Sequence, residues 1–216
     1  MVDAVAVAVV GAVAVGAAVV AAAGVEMSDW RYWLIVVFWA VWEGYWIASS
    51  RSVKRATQKE PLASRIPVLI GLVLAPCLLL APGWFGSLMD RSFTWQTDAT
   101  YLPGLALALC GMAFAFWARH TLGRNWSGRV TIKEDHELVT AGPYRYVRHP
   151  IYTGALLGFA GSTLALGRAG GIFAVAIMLM IFAHKIRLEE QMLDKHFGER
   201  YAAYKKSTHA VIPLIW

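Results

Sequence analysis

Six apolar stretches separated by polar segments dominate the chain. Residues 4–25, 66–89 and 99–118 carry no charged side chain, and each is long enough as a helix to cross roughly 30 Å of hydrocarbon. Residues 150–167 and 169–183 are also uncharged, with Gly167, Gly170 and Gly171 marking a turn between them. The sixth stretch, 30–50, is rich in Trp and Tyr, with Arg31 at its edge and Glu43 inside. In 4–25 Val and Ala alternate as they would in a strand, but a lone strand cannot satisfy its backbone in lipid, so a helix is predicted there too. The pattern predicts an all-α integral membrane protein of about six transmembrane helices.

Charge gives the arrangement a direction. Of 20 Lys and Arg, five lie in 51–65, six in 119–148 and six in 185–206, while Arg31, Arg91 and Arg168 fall in the other connections. Six spans put the rich segments on one side, which the positive-inside rule makes cytoplasmic together with both termini. The net charge of +6 is then a basic membrane surface rather than a nucleic-acid footprint. No Lys or Arg precedes the first apolar run, so a cleaved signal peptide is not expected. Composition, 58% hydrophobic and 16% charged, exceeds what a soluble core of this size needs. The Ala/Val/Gly bias points to a GC-rich bacterial genome and so to a bacterial inner membrane. Cys77 and Cys110 lie in separate spans without metal-ligand spacing, and no metal is expected.

Residues 1–98 read as a scaffold of three helices, with aromatics around 30–46 at the membrane interface. Residues 99–216 read as a core of three helices with a cytoplasmic loop at 119–149 and a C-terminal helix. The chemistry is concentrated there. Gly142-Pro143-Tyr144-Arg145-Tyr146-Val147-Arg148-His149-Pro150-Ile151-Tyr152 sets three Tyr, two further cations besides His149 and a helix-starting Pro against an apolar span. Polar groups at a membrane boundary are costly unless they bind something. Beyond the following hairpin, Lys185 and Glu189 fall one helical turn apart, so a carboxylate can face the same site beside a cation; Glu190 is either part of it or a solvated neighbour. Together these segments predict a cytoplasmic C-terminal cofactor pocket. Glu43, the one acid within a span, either serves the acceptor or pairs with a neighbouring helix.

The segments H-E-L-V-T-A-G-P-Y-R-Y-V-R-H-P-I-Y-T-G (136–154) and R-L-E-E-Q-M-L-D-K-H-F-G-E-R-Y-A-A-Y-K-K (187–206) resemble the isoprenylcysteine carboxyl methyltransferase family of membrane enzymes, which includes phospholipid methyltransferase relatives. The resemblance covers roughly 100–216. It implies methyl transfer from S-adenosylmethionine to a lipophilic or lipidated acceptor at the bilayer, most like isoprenylcysteine carboxyl O-methylation. By position it implies cofactor contacts from His136, Glu137, Leu138, Val139, Tyr144, His149, Pro150, Tyr152 and Glu189. His149 and Tyr152 would position the reactants, and Lys185 and Arg187, with Glu43, would serve the acceptor.

The residue types agree with that chemistry. Tyrosine faces attract a sulfonium, a carboxylate accepts from ribose hydroxyls or an ammonium, and Arg145 or Arg148 either forks onto a carboxylate or snorkels to the lipid surface. Methyl transfer is an in-line displacement that needs a positioned, poorly hydrated nucleophile more than acid–base machinery. Phospholipid N-methylation and methylation of a small thiol or acid are alternatives. So is an NADPH-dependent sterol-type reductase, since those enzymes also carry an R-H-P-x-Y segment. Ile151 and the Glu189-Glu190 pair favour methyl transfer. A non-enzymatic scaffold would leave the His, Tyr and acidic cluster without a role. Gly11 and Gly16 do not make a G-x-x-x-G spacing, and oligomeric state stays open.

Overall fold

The computed structural model describes residues 30–49, 56–59, 62–95, 97–123, 126, 131–133 and 138–211. The predicted span at 4–25, His136 and Glu137 lie outside the described residues. The main helices are α1 (Trp30–Ser49), α2 (Leu62–Leu80), α4 (Asp98–Leu122), α5 (Pro150–Leu166) and α6 (Ala169–Phe197). A single turn, α3 (Ser87–Asp90), follows α2, and α7 (Glu199–Ser207) closes the described chain. Five predicted spans thus correspond to helices. Of these, α4 and α6 are long and apolar enough to cross a membrane on length and composition, whereas Ile66–Leu80 and Pro150–Leu166 are shorter apolar helices.

Two expectations are corrected. The third span does not run to residue 89: α2 stops at Leu80, and Pro82–Phe85 forms a 3-10 turn. Pro82 has no N–H to continue the ladder, and it drives Ala81 to φ −135°. Nor is the chain wholly helical. Ala56–Lys59 (β1) and Thr131–Lys133 (β2) pair antiparallel, with an irregularity between Ala56 and Gln58.

Apolar side chains cover the outside as well as the inside. Leu34, Val37 and Val41 on α1, Ile66, Ile70 and Val73 on α2, and Ile172, Phe173 and Met180 on α6 are all exposed. A soluble surface does not carry that much contiguous apolar area, whereas a lipid-facing one does. Inward, Trp39 packs on Phe159 at a ring separation of 4.5 Å and donates its indole N–H to Ser162 at 3.2 Å, which ties α1 to α5.

The tightest seam joins α4 to α5. Gly104, Ala108, Gly111 and Ala115, spaced 4-3-4 on α4, face Gly154, Gly161 and Ala165 of α5, while the Cβ position of Gly158 turns to Phe38 and Trp39 of α1 at 3.5 Å. A Cβ added at Gly111 would stand 2.5 Å from the Gly154 carbonyl oxygen, and one at Gly104 2.5 Å from the Ala165 nitrogen. The backbones therefore touch, as small residues permit where helices associate in lipid.

The bundle has two polar ends. At one, Arg31 pairs with Asp98, Arg168 pairs with Asp90, and the Tyr101 hydroxyl donates to the Arg31 carbonyl. At the other, buried Arg119 donates to the carbonyls of Ser49 and Gly123, both at 2.7 Å, tying the ends of α1 and α4. Its guanidinium lies 4.7 Å from the Trp126 ring. The polar cluster of the C-terminal half sits at this second end.

Candidate active site

The chain reaches the site through a 3-10 turn, Gly142–Arg145, opened by Gly142 at φ +57°, a left-handed value that favours glycine. Space matters here too, since a Cβ on Gly142 would meet the Thr121 hydroxyl at 2.9 Å. Pro143 and Tyr144 are buried, and the Tyr144 carbonyl accepts from the Tyr204 hydroxyl at 2.6 Å. Burial pushes the Tyr144 phenol well up, and Glu189 pushes it further, so it stays protonated.

His149 is the N-cap of α5 and Pro150 its first residue, where a missing N–H leaves nothing unpaired. The backbone beside them is clasped by the chain beyond α7. Arg148 N–H donates to the His209 carbonyl at 2.8 Å, and His149 N–H to the Ala210 carbonyl at 2.9 Å. The Thr153 hydroxyl donates to the Val211 carbonyl at 2.7 Å. The Arg148 guanidinium also donates to the Thr208 carbonyl.

Five side chains then converge from α5, the two residues before it, and α6. His149 Nδ1 stands 3.4 Å from Glu189 Oε2, and Nε2 stands 3.3 Å from Glu190 Oε1. Arg148 Nε donates to that same Glu190 oxygen at 2.8 Å. The Tyr152 hydroxyl donates to Glu189 Oε1 at 2.5 Å. Burial alone would lower the His149 pKa, but hydrogen bonds to both carboxylates raise it overall. Burial alone would raise Glu189, but His149 and Lys185 hold it below the usual carboxylate range. Glu190 is held at about 2 by His149 and Arg148, against the pull of its burial. The cluster is an imidazolium between two carboxylates, with Arg148 offsetting the second.

That assignment fixes a pH window. The raised His149 contributes stability fully below its unfolded value of about 6.5 and loses it as pH rises through the folded value. The depressed Glu190 contributes above about 4.5 and loses it as pH falls towards about 2. The melting-temperature gap between wild type and Glu190→Gln is therefore expected to be widest between those two unfolded values. It should shrink on acidification; a gap independent of pH from about 3 to 8 would refute the ion cluster.

Most of the residues expected from sequence come together here. Tyr144, His149, Pro150, Tyr152, Glu189 and Lys185 form one neighbourhood, with the Lys185 ammonium 5.4 Å from the Tyr152 ring centre. The Tyr152 ring also stacks on Phe182 at 4.6 Å, so its hydroxyl, holding Glu189, is the part turned to the acid. Leu138 and Val139 are half-buried just before the turn. Arg187 is exposed on α6 and makes none of these contacts among the described residues. Glu43 is buried within α1, and its Oε2 has no hydrogen-bond partner among the described residues. Glu190 is bound into the cluster rather than solvated, and Arg148 serves it rather than the lipid surface. The clasp at 208–211 and the tie from Arg119 to α1 carried no signal in the sequence, since both act through backbone carbonyls distant along the chain.

Residues 104–195 match the isoprenylcysteine carboxyl methyltransferase family. Protein-S-isoprenylcysteine O-methyltransferase B of Arabidopsis thaliana is 31% identical over 115 residues, 52% of this chain and 58% of that protein. The cobalt-zinc-cadmium resistance protein CzcN of Cupriavidus metallidurans is 32% identical over 154 residues, 68% of this chain and 62% of that one. The chain thus spans about three-fifths of the length of these relatives. A solved structure of the eukaryotic intramembrane Ras methyltransferase ICMT superposes with a TM-score of 0.58 at 20% identity, covering 88% of this chain and 70% of that one, a likeness of fold. Over residues 104–195, where the His149–Glu189 cluster lies, the chain is similar to the isoprenylcysteine carboxyl methyltransferase family.

Proposed function

We propose that the protein is a membrane methyltransferase that uses S-adenosylmethionine to methylate a lipophilic acceptor, most like the carboxylate of an isoprenylcysteine. The observation that carries this is the joining of His149, Tyr152, Glu189 and Glu190 across α5 and α6 at one polar end of an apolar bundle. The concentration of Lys and Arg in the segments at that end supports a cytoplasmic orientation for it.

The donor set fits the cofactor. Glu189 keeps 22% of its side chain exposed while His149 keeps 6%, so Glu189 is the accessible member of that pair and His149 its internal counter-charge. An accessible carboxylate with fixed geometry suits the cofactor's ammonium or ribose hydroxyls. Tyr144 and the turn before it wall the site on the α4 side, and His136 to Val139 would complete it. When bound, S-adenosylmethionine supplies an electrophilic methyl group. The chain's own part is positional. Tyr152 and His149 hold Glu189 in one orientation, and the apolar faces of α5 and α6 keep water from the acceptor. Lys185 offers an ammonium to an anionic acceptor, and Glu43 is the acid available to it inside the bundle. An acceptor carboxylate is already ionised at neutral pH and needs no general base.

Calorimetry with purified protein tests the reading. S-adenosylhomocysteine is expected to bind with one site per chain, and NADPH is expected not to bind. Binding of NADPH alone would move the assignment to the reductase class, and binding of neither would overturn an enzymatic role at this site. Mass spectrometry of lipids labelled from methyl-deuterated cofactor then separates a carboxylate acceptor from a phospholipid amine or a small thiol.

A further inference from the structure

On the far side of α5 from Glu189, the molecule has a second concavity, an open groove of about 560 Å³. Phe114 of α4 and Leu157 of α5 form its apolar walls, Val147 lies between, and Arg145, Ser207 and His209 stand in its lining at the polar end. From Pro150 to Leu157 the helix descends roughly 10 Å, so the groove runs from the interface into the upper hydrocarbon. Arg145 and His209 are exposed, and Arg145 makes no hydrogen bond or ion pair among the described residues. Its neighbour Arg148 is fully engaged by Glu190 and Thr208, so the two arginines of this turn face different tasks.

We propose that this groove binds one anionic phospholipid of the basic-side leaflet, an acyl chain between Phe114 and Leu157 and the phosphate at Arg145, Ser207 and His209. Charge and shape argue together: an unengaged guanidinium and two hydrogen-bonding groups ring the mouth of an apolar slot at headgroup height. Zwitterionic lipid fits the slot but brings no net charge to Arg145. The bound lipid also has a structural role. Its polar contacts bridge the turn that carries Arg145 to the segment carrying His209, the two segments whose backbone hydrogen bonds hold Arg148 and His149 in place. The lipid is therefore a brace for the catalytic cluster and not the methyl acceptor.

The test uses the full chain in nanodiscs of phosphatidylcholine with or without phosphatidylglycerol. Native mass spectrometry is expected to show one phosphatidylglycerol retained per wild-type chain, and the melting temperature to be higher when that lipid is present. Arg145→Gln should weaken retention about fivefold and remove the thermal gain, while S-adenosylhomocysteine still binds. Leu157→Trp, which fills the slot, should remove retention as well. Equal retention of the two lipids by wild type would overturn the proposal, as would unaltered phosphatidylglycerol retention in Arg145→Gln. So would a dimer whose formation, rather than lipid, is lost in Leu157→Trp. Because cofactor binding is measured separately, lipid binding and the methyltransferase reading fail independently.

Discussion

Glu189→Gln is expected to weaken S-adenosylhomocysteine binding by about tenfold or more and, because it also removes the charge paired with His149, to lower the melting temperature. Gln keeps the length of Glu and still accepts from the Tyr152 hydroxyl, so the local packing survives. What disappears is the charge, and a hydrogen bond to an ionised group contributes about 1.5–3 kcal/mol. His149→Ala tests the same site from inside. It leaves Glu189 and Glu190 without the cation between them, so it should lower both affinity and stability. Unchanged affinity in both variants, measured by calorimetry on monodisperse protein, would mean that the cofactor lies elsewhere.

Gly111→Leu should have the largest structural effect of any single substitution considered. The first carbon alone would press on the Gly154 carbonyl, a backbone atom that cannot rotate away. Overpacking in a fitted interior costs about 1–3 kcal/mol, and a whole isobutyl group between touching backbones lies at or beyond the top of that range. Loss of monodisperse protein on size exclusion is the expected result. Ala113→Leu, two residues along on the exposed side of α4, is the control and should behave as wild type. If both variants remain folded with equal melting temperatures, the main chains of α4 and α5 are not in contact at Gly111.

The segments that sequence resolves best are those where one physical requirement acts alone. Uncharged runs at 99–118, 150–167 and 169–183 give α4, α5 and α6 because lipid tolerates only a self-satisfied backbone. Pro150 marks the start of α5, and Lys185 and Glu189 share a helical face because their spacing fixes it. The extent of α2 was less legible: an apolar run continues through Pro82 to Met89, and composition does not separate Pro82, just past the helix end, from Pro76, which lies inside it. The acid pair was half legible. Spacing brings Glu189 to the site, but the destination of Glu190 depends on where Arg148 points, and that is set by carbonyls at 205–208. The 4-3-4 series of small residues was in plain view, yet its meaning requires the partner helix. One series alone reads as ordinary Ala and Gly composition.

That paired series bears on how a bulky acceptor would reach the site. Two helices whose main chains are in contact have no side-chain layer to slide over or part, so α4 and α5 form a closed wall from Gly104 to Ala115. A lipid tail moving sideways out of the bilayer has to come through another seam. The seams beside α1 are different in kind, because they are filled by the side chains of Trp39, Trp42, Trp46 and Phe116 rather than by touching main chains. On the proposed function, an acceptor tail is expected to enter beside α1, the helix that carries Glu43, rather than between α4 and α5.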